Sequence, residues 1–115
     1  MYTYQKTHSL TDRLAESKRI RTKYPDRIPV IMEKHQSSTI PTLSQTKFLV
    51  PSNLVVSQLL YVIRKRIKLN PNEALFIFVN DTLPSSSMDV MSLYNTQAQP
   101  DGFLYITYSN ENTFG

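Results

Sequence analysis

Cysteine is absent from the 115 residues. That excludes disulfides, thiolate-ligated metals and a cysteine nucleophile within the chain, and it is compatible with the cytosol. Only two glycines occur, too few for a glycine-rich phosphate cradle. No apolar run approaches the ~18 residues of a membrane span, and no N-terminal apolar region resembles a signal peptide. His8 and His35 sit in polar surroundings with no second ligand at metal-binding spacing, so both are expected at the surface and no metal or cofactor is expected. No serine occupies a nucleophile elbow, and no pair of carboxylates stands out. Phe76 and Phe78 alternate with apolar rather than basic residues, as in a core and not a base-stacking platform. These absences argue against an enzyme and against a nucleic-acid reader.

What remains is one domain by length, large enough to bury roughly two-thirds of its unfolded surface without staples. The net charge is +4. Residues 1–27 carry seven of the 13 cationic side chains and only three of the nine acidic ones, so that segment holds the whole excess. A basic segment attracts acidic peptides, anionic lipid or nucleic acid; for any single lysine, a solvated helix face explains it as well.

Lys47–Ile67 organises the rest. Lys47-Phe-Leu-Val-Pro51 reads as a short strand. Pro51 ends it and marks it as an edge strand, since proline has no amide hydrogen to give a neighbour. Ser52 or Asn53 is expected to cap the helix that follows, and that helix is expected to stop near Leu69, before Asn70-Pro71. Val56, Leu60, Ile63 and Ile67 make one apolar stripe. Val55, Leu59 and Val62 make a second beside it, ending in Arg66. One stripe belongs on a sheet. The second is either more core or the floor of a groove, with Leu59 and Val62 below and Phe48, Val50 and Leu54 as walls. A groove beside an unpaired strand edge suits an extended peptide.

Ser9 and Asp12 form a loose capping box for a helix running to about Lys23, with a shorter helical piece around Tyr4–Thr7. Arg27–Lys34 reads as a strand. Ile28, Val30 and Met32 point one way; Pro29, Ile31 and Glu33 point the other. The second face should be solvated yet carries Pro29 and Ile31, so the N-terminal helix or a ligand covers it. Ala74–Val79 is continuously apolar, the pattern of a central strand buried on both faces. Ser86 and Asp89 are a second capping-box candidate, for a helix to about Tyr94. Asp101-Gly102 makes a turn. Phe103–Tyr108 is a last strand, with Leu104 and Ile106 facing the core. The predicted fold is α+β: a ubiquitin-like β-grasp with a four-stranded mixed sheet and one main packed helix. Residues 1–25 form an N-terminal helical extension, 26–109 the core and 110–115 a flexible tail.

Six separated runs in this order resemble the autophagy-related ubiquitin-like modifiers, the family of the GABA-receptor-associated protein and the microtubule-associated protein light chain. They are Asp26-Arg-Ile-Pro-Val-Ile31, Lys47-Phe-Leu-Val-Pro51, Tyr61-Val-Ile-Arg-Lys-Arg-Ile67, Phe76-Ile-Phe-Val-Asn-Asp-Thr-Leu-Pro84, Asp101-Gly-Phe-Leu-Tyr105 and Glu111-Asn-Thr-Phe-Gly115. The resemblance covers nearly the whole chain from Arg13 onward. It implies a non-enzymatic tag acting in autophagosome formation. In such a tag the Gly115 carboxylate is activated, passed through thioesters on activating and conjugating enzymes, and joined to phosphatidylethanolamine. A cysteine protease would process or release it. The protein would then be cytoplasmic and reversibly attached to autophagosomal and vacuolar or lysosomal membranes. Glycine suits this chemistry because its missing side chain lets the carbonyl enter narrow active sites.

The resemblance further implies docking of cargo-receptor peptides with an aromatic residue, two spacers and an aliphatic residue. The peptide would add a strand at Lys47–Val50. Its aromatic side chain would enter a pocket of Glu16, Ile20, Pro29, Ile31, Lys47, Leu49 and Phe103. Its aliphatic side chain would enter one of Phe48, Val50, Pro51, Leu54, Leu59 and Val62. Arg27 and Arg66 would meet acidic residues flanking the motif. Three features depart from the family pattern: Gln45 and Thr46 where basic residues are common, Asn110 in place of a glycine, and the polar run Ser85-Ser86-Ser87. Two other readings compete: a ubiquitin-like adaptor in membrane trafficking that binds peptides but is never conjugated, and a small basic RNA-binding domain.

Overall fold

Alternating side chains make Arg27–Lys34 a strand, β1. Ile28, Val30 and Met32 enter the main core, and Ile31 enters a second cluster on the opposite face, as the pattern predicts. The computed structural model describes residues 2–112; Gly115 lies outside them. Ahead of β1 come α1 (Thr3–Thr7) and α2 (Leu10–Lys23). Ser9 caps α2, its Oγ accepting from the Asp12 amide at 3.1 Å. After β1 come β2 (Lys47–Pro51), α3 (Val56–Ile67), β3 (Phe76–Phe78), α4 (Val90–Gln97) and β4 (Leu104–Ser109). The sheet order is β2-β1-β4-β3. β1 lies parallel to β4 and antiparallel to β2, and β3 is antiparallel to β4. This is the ubiquitin-like arrangement, with α3 on one face and α1 and α2 on the other.

Several local expectations shift. The continuously apolar run Ala74–Val79 yields not a central strand but β3 at the far edge. Its two-sided apolarity has another cause. Ile77 and Val79 join the main core, while Phe78 is buried on the alternate face. Neither Ser52 nor Asn53 caps α3. Val55 occupies that position, and the Gln58 side chain accepts from its amide at 3.0 Å. Ser52 is engaged elsewhere: its amide donates to Asp26 at 3.0 Å, and its carbonyl accepts from Met91 at 3.1 Å. The helix also stops earlier than Leu69, closed by Lys68 in the left-handed region at φ 52°. The core stripe of α3 is Val56, Leu59, Ile63 and Ile67, with Leu60 at its flank. Asp89, not Ser86, caps α4, accepting from the Ser92 amide at 2.8 Å.

The N-terminal helices are pinned to the sheet by carboxylates. Glu33 on β1 accepts from the Thr3 and Tyr4 amides at 2.9 and 3.1 Å, satisfying free donors of the first turn of α1. Asp101 is 1% exposed. It accepts from the Arg13 guanidinium at 2.7 Å, the Tyr105 hydroxyl at 2.6 Å and the Phe103 amide at 3.0 Å. Burial, then this bond and the charge of Asp101, push the Tyr105 phenol upward. Ser17 on α2 donates to the Asp101 carbonyl at 2.6 Å. Beside it Gly102 holds φ +87°, and a Cβ there would stand 2.4 Å from Ser17 Oγ. A third tie is Glu16, which accepts from Arg19 at 2.7 Å and also pairs with Lys47 of β2. Under these ties, Tyr4, Ile20, Ile31, Phe103 and Tyr105 form the outer cluster.

Gly102→Ala combines a strained backbone with a direct clash against α2. It is expected to lower stability by about 1–3 kcal/mol, read as a shifted denaturant midpoint, with amide exchange in α2 accelerating before that in β1. Glu16 supplies a pH-dependent part of the same docking. Its bonds to Arg19 and then Lys47 hold the carboxyl at about 2 against an ordinary 4.5. A carboxyl held down in the folded state stabilises above its unfolded value and loses that contribution as it protonates. Stability is therefore expected to fall between pH 4.5 and 2. Glu16→Gln, followed by denaturation across that window, should flatten this part of the curve.

Candidate peptide-binding edge

The phase of the β1–β2 ladder follows from its proline. Pro29 is level with Leu49 and has no amide hydrogen, so this pair cannot exchange two hydrogen bonds. The flanking bonds agree: Met32 donates to the Thr46 carbonyl at 2.8 Å, and Ser52 donates to the Asp26 carbonyl at 3.0 Å. The hydrogen-bonded pairs are therefore Ile28–Val50 and Val30–Phe48. Lys47 and Leu49 alternate with them and turn their amide and carbonyl groups away from β1. β2 is the outermost strand, so those groups face outward from the sheet. Two side chains approach them. The Gln45 amide donates to the Lys47 carbonyl at 3.0 Å, and Arg27 Nη1 stands 3.5 Å from the Leu49 carbonyl.

The alternation that frees the backbone also sorts the side chains. Lys47 and Leu49 share a face with Ile31 and Pro29, beneath α2; Phe48 and Val50 share the other with Val30 and Ile28, against α3. Of the residues expected around an aromatic side chain, Ile20, Pro29, Ile31 and Phe103 are buried, and Leu49 is 36% exposed. Glu16 and Lys47 are half-buried, and their ion pair spans from α2 to the edge strand. Of those expected around an aliphatic side chain, Phe48, Val50 and Leu59 are buried, Pro51 and Leu54 half-buried, and Val62 is 38% exposed. The second stripe of α3 is thus divided: Leu59 faces the core and Val62 faces out. Arg66 lies over the Phe48 ring, 5.2 Å from its centroid. Arg27 and Arg66 are both exposed.

The sequence reading missed the residues that position this edge. Asp101 reads as half of a turn, yet its buried carboxylate holds α2 in place. Arg13 and Ser17 carry no role in the sequence reading. The one available signal was the Asp101-Gly102 pair, since a glycine held at positive φ often marks a close approach. Gln45 was read only for its lack of charge, not as a donor to the strand edge.

Comparison with known proteins gives the arrangement its family. A protein-family model described as "Autophagy protein Atg8 ubiquitin like" matches residues 12–115. Autophagy-related protein 8 of Mycosarcoma maydis is 54% identical over 112 residues, covering 97% of this chain and 95% of that protein. Autophagy-related protein 8B of Oryza sativa subsp. indica is 52% identical over 113 residues, covering 98% and 95%. The crystal structure of Trypanosoma brucei ATG8 superposes with a TM-score of 0.92 at 42% identity, covering 100% of this chain and 99% of that one. The chain belongs to the Atg8 family of ubiquitin-like autophagy proteins, which are modifiers and adaptors and not enzymes.

Proposed function

We propose that this protein is a modifier joined through Gly115 to phosphatidylethanolamine, and that its β2 edge docks aromatic-x-x-aliphatic motifs of cargo receptors during autophagosome formation. The observation that carries the docking half is the open edge itself: outward backbone groups at Lys47 and Leu49, flanked by apolar side chains on both faces. In an extended strand, residues three apart point to opposite faces. A peptide paired with β2 would therefore place its aromatic residue on the α2 side and its aliphatic residue on the α3 side. The aromatic set lies toward Lys47 and the aliphatic set toward Pro51, so the peptide would run parallel to β2. Burying two such side chains gains roughly 1.5–3 kcal/mol each before ordering costs. With a few backbone bonds, that is in keeping with micromolar affinity, about −8 kcal/mol. Arg27 and Arg66 would meet acidic flanks.

The conjugation half rests on family membership and on the Glu111-Asn-Thr-Phe-Gly115 run. Activating and conjugating enzymes would carry Gly115 to the lipid, and a cysteine protease would process the chain or release it. No helix among the described residues is long and apolar enough to cross a membrane. A two-chain lipid would hold the otherwise cytoplasmic protein stably on an autophagosomal, vacuolar or lysosomal membrane. An unconjugated trafficking adaptor would use the same groove and differ only at Gly115.

Leu49→Ala removes an exposed side chain. It should leave the unfolding midpoint nearly unchanged while weakening a labelled aromatic-x-x-aliphatic peptide roughly tenfold, about 1.4 kcal/mol; equal affinity would reject the groove. Ile31→Ala is a poorer probe, because Ile31 is fully buried and its truncation would cost roughly 2–5 kcal/mol of stability. Deleting Gly115 should abolish attachment to phosphatidylethanolamine vesicles in a reconstituted conjugation reaction. Attachment that persists would favour the adaptor.

A further inference from the structure

β4 ends at Ser109, and the residue after it is clipped to a distant loop. Asn110 is half-buried, and its side chain uses both of its polar ends. Oδ1 accepts from the Ser38 hydroxyl at 2.9 Å, and Nδ2 donates to Thr39 Oγ1 at 3.3 Å. The Asn110 backbone amide also reaches Ser38 Oγ, at 3.4 Å. Ser38 is buried, so its bond to Asn110 is shielded from competing water. The loop that carries it is itself anchored. Ile40 lies in the main core, and its carbonyl accepts from Lys34 Nζ at 3.0 Å. On the other side the Ser38 amide donates to the His35 carbonyl at 2.9 Å, and the His35 amide to the Tyr108 carbonyl at 2.8 Å. Residues 35–40 and the end of β4 thus form one hydrogen-bonded unit, joined across 72 positions of sequence.

The clip fixes where the chain leaves the sheet. Ser109 is fully buried and its Oγ accepts from the Glu111 amide at 3.1 Å, while Glu111 is exposed. Gly115 follows Asn110 by five positions, a length of chain that spans at most about 17 Å. Over so short a reach, the direction set at residue 110 governs where the glycine carboxylate can be delivered. A glycine at 110 could make neither side-chain bond and would open φ and ψ to a wider range. We infer that Asn110, clipped by Ser38 and Thr39, is a positioning residue for enzymes that act on Gly115. It orders the base of the C-terminal run in advance, so less conformational freedom is lost when that run enters an active site. The inference rests on the conjugation reading. It gives a role to the asparagine that the sequence could only register as a departure. The clip acts on capture of the chain end and not on the chemical step, so its effect belongs to KM rather than kcat.

The test uses the full chain with the Gly115 carboxyl group joined as an amide to a fluorogenic aminocoumarin. A lipid-releasing cysteine protease, shown active on the same amide of a family relative, hydrolyses it. The bond between the Gly115 carbonyl carbon and the coumarin nitrogen breaks, the hydroxyl of water stays on the new carboxyl group, and its other hydrogen goes to the amine. Asn110→Gly should raise KM roughly fivefold with kcat unchanged. Thr39→Ala, at an exposed position, should raise KM roughly twofold. The double variant should match Asn110→Gly alone, because both changes remove the same bond. Amide relaxation at Glu111 and Asn112 should report faster motion in Asn110→Gly, while the amide shifts of β2 and α2 stay in place. A KM equal to or below that of the parent chain, a change confined to kcat, or effects of the two substitutions that add overturns the positioning role. A parent chain that the protease leaves uncut overturns the conjugation reading and the inference with it.

Discussion

Pro29 lacks an amide hydrogen, and that omission sets the phase of hydrogen bonding between β1 and β2. Every property of the outer edge depends on this phase. With Ile28–Val50 and Val30–Phe48 bonded, the polar groups of Lys47 and Leu49 turn away from the sheet. Shifted by one residue, the ladder would turn Phe48 and Val50 out and take Leu49 in, moving each apolar side chain to the wrong face. The bonds at Met32–Thr46 and Asp26–Ser52 lock the register at both ends. A proline within β1 is tolerated because its missing donor falls where the ladder needs none.

The outer cluster beneath α2 depends on a second constraint, the buried carboxylate of Asp101. Removing a charge from water is costly unless it is fully bonded. Here the Arg13 guanidinium, the Tyr105 hydroxyl and the Phe103 amide supply those bonds. No buried side-chain polar atom among the described residues lacks a partner. The acid therefore ties α2 to the β4 end of the sheet, while Glu16 reaches Lys47 at the other edge. Between them α2 lies across the sheet and places Ile20 over Ile31 and Phe103. The proposed aromatic pocket would thus be a product of helix docking. A change at Asp101 or Gly102 alters it without touching a residue that lines it.

The fold was largely legible because its signals are periodic. Arg27–Lys34 reads as a strand with apolar residues on both faces, Pro51 marks the edge, and Ser9 caps a helix whose bounds match the prediction. The errors share a cause. Ala74–Val79 looks central because it is apolar on both faces, but an edge strand is equally apolar when helices or aromatic rings cover both sides. Leu59 and Leu60 both fit a helical stripe, and only the rotation of α3 against the sheet decides that Leu59 is the more buried. Ser52 has a good capping side chain, yet its backbone is bound to Asp26 and Met91. The candidate edge was proposed from residue types and family resemblance. Its positioning was not, because Arg13, Ser17 and Asp101 are brought together across 88 positions of sequence, and no local pattern announces that.

An open strand edge is also a hazard, since its unpaired groups accept any extended chain. This edge is short, five residues, and bounded by Lys47 and Pro51. Its two outward carbonyls are approached by side chains of the same molecule, Gln45 firmly at 3.0 Å and Arg27 loosely at 3.5 Å. An incoming strand must displace these contacts, so pairing at the carbonyls returns less than at a bare edge, because they exchange one donor for another, while the outward amides gain acceptors. Net affinity then has to come from side chains entering the two faces. The same self-capping that discourages indiscriminate pairing makes any partner of this edge selective for the residues flanking its backbone bonds.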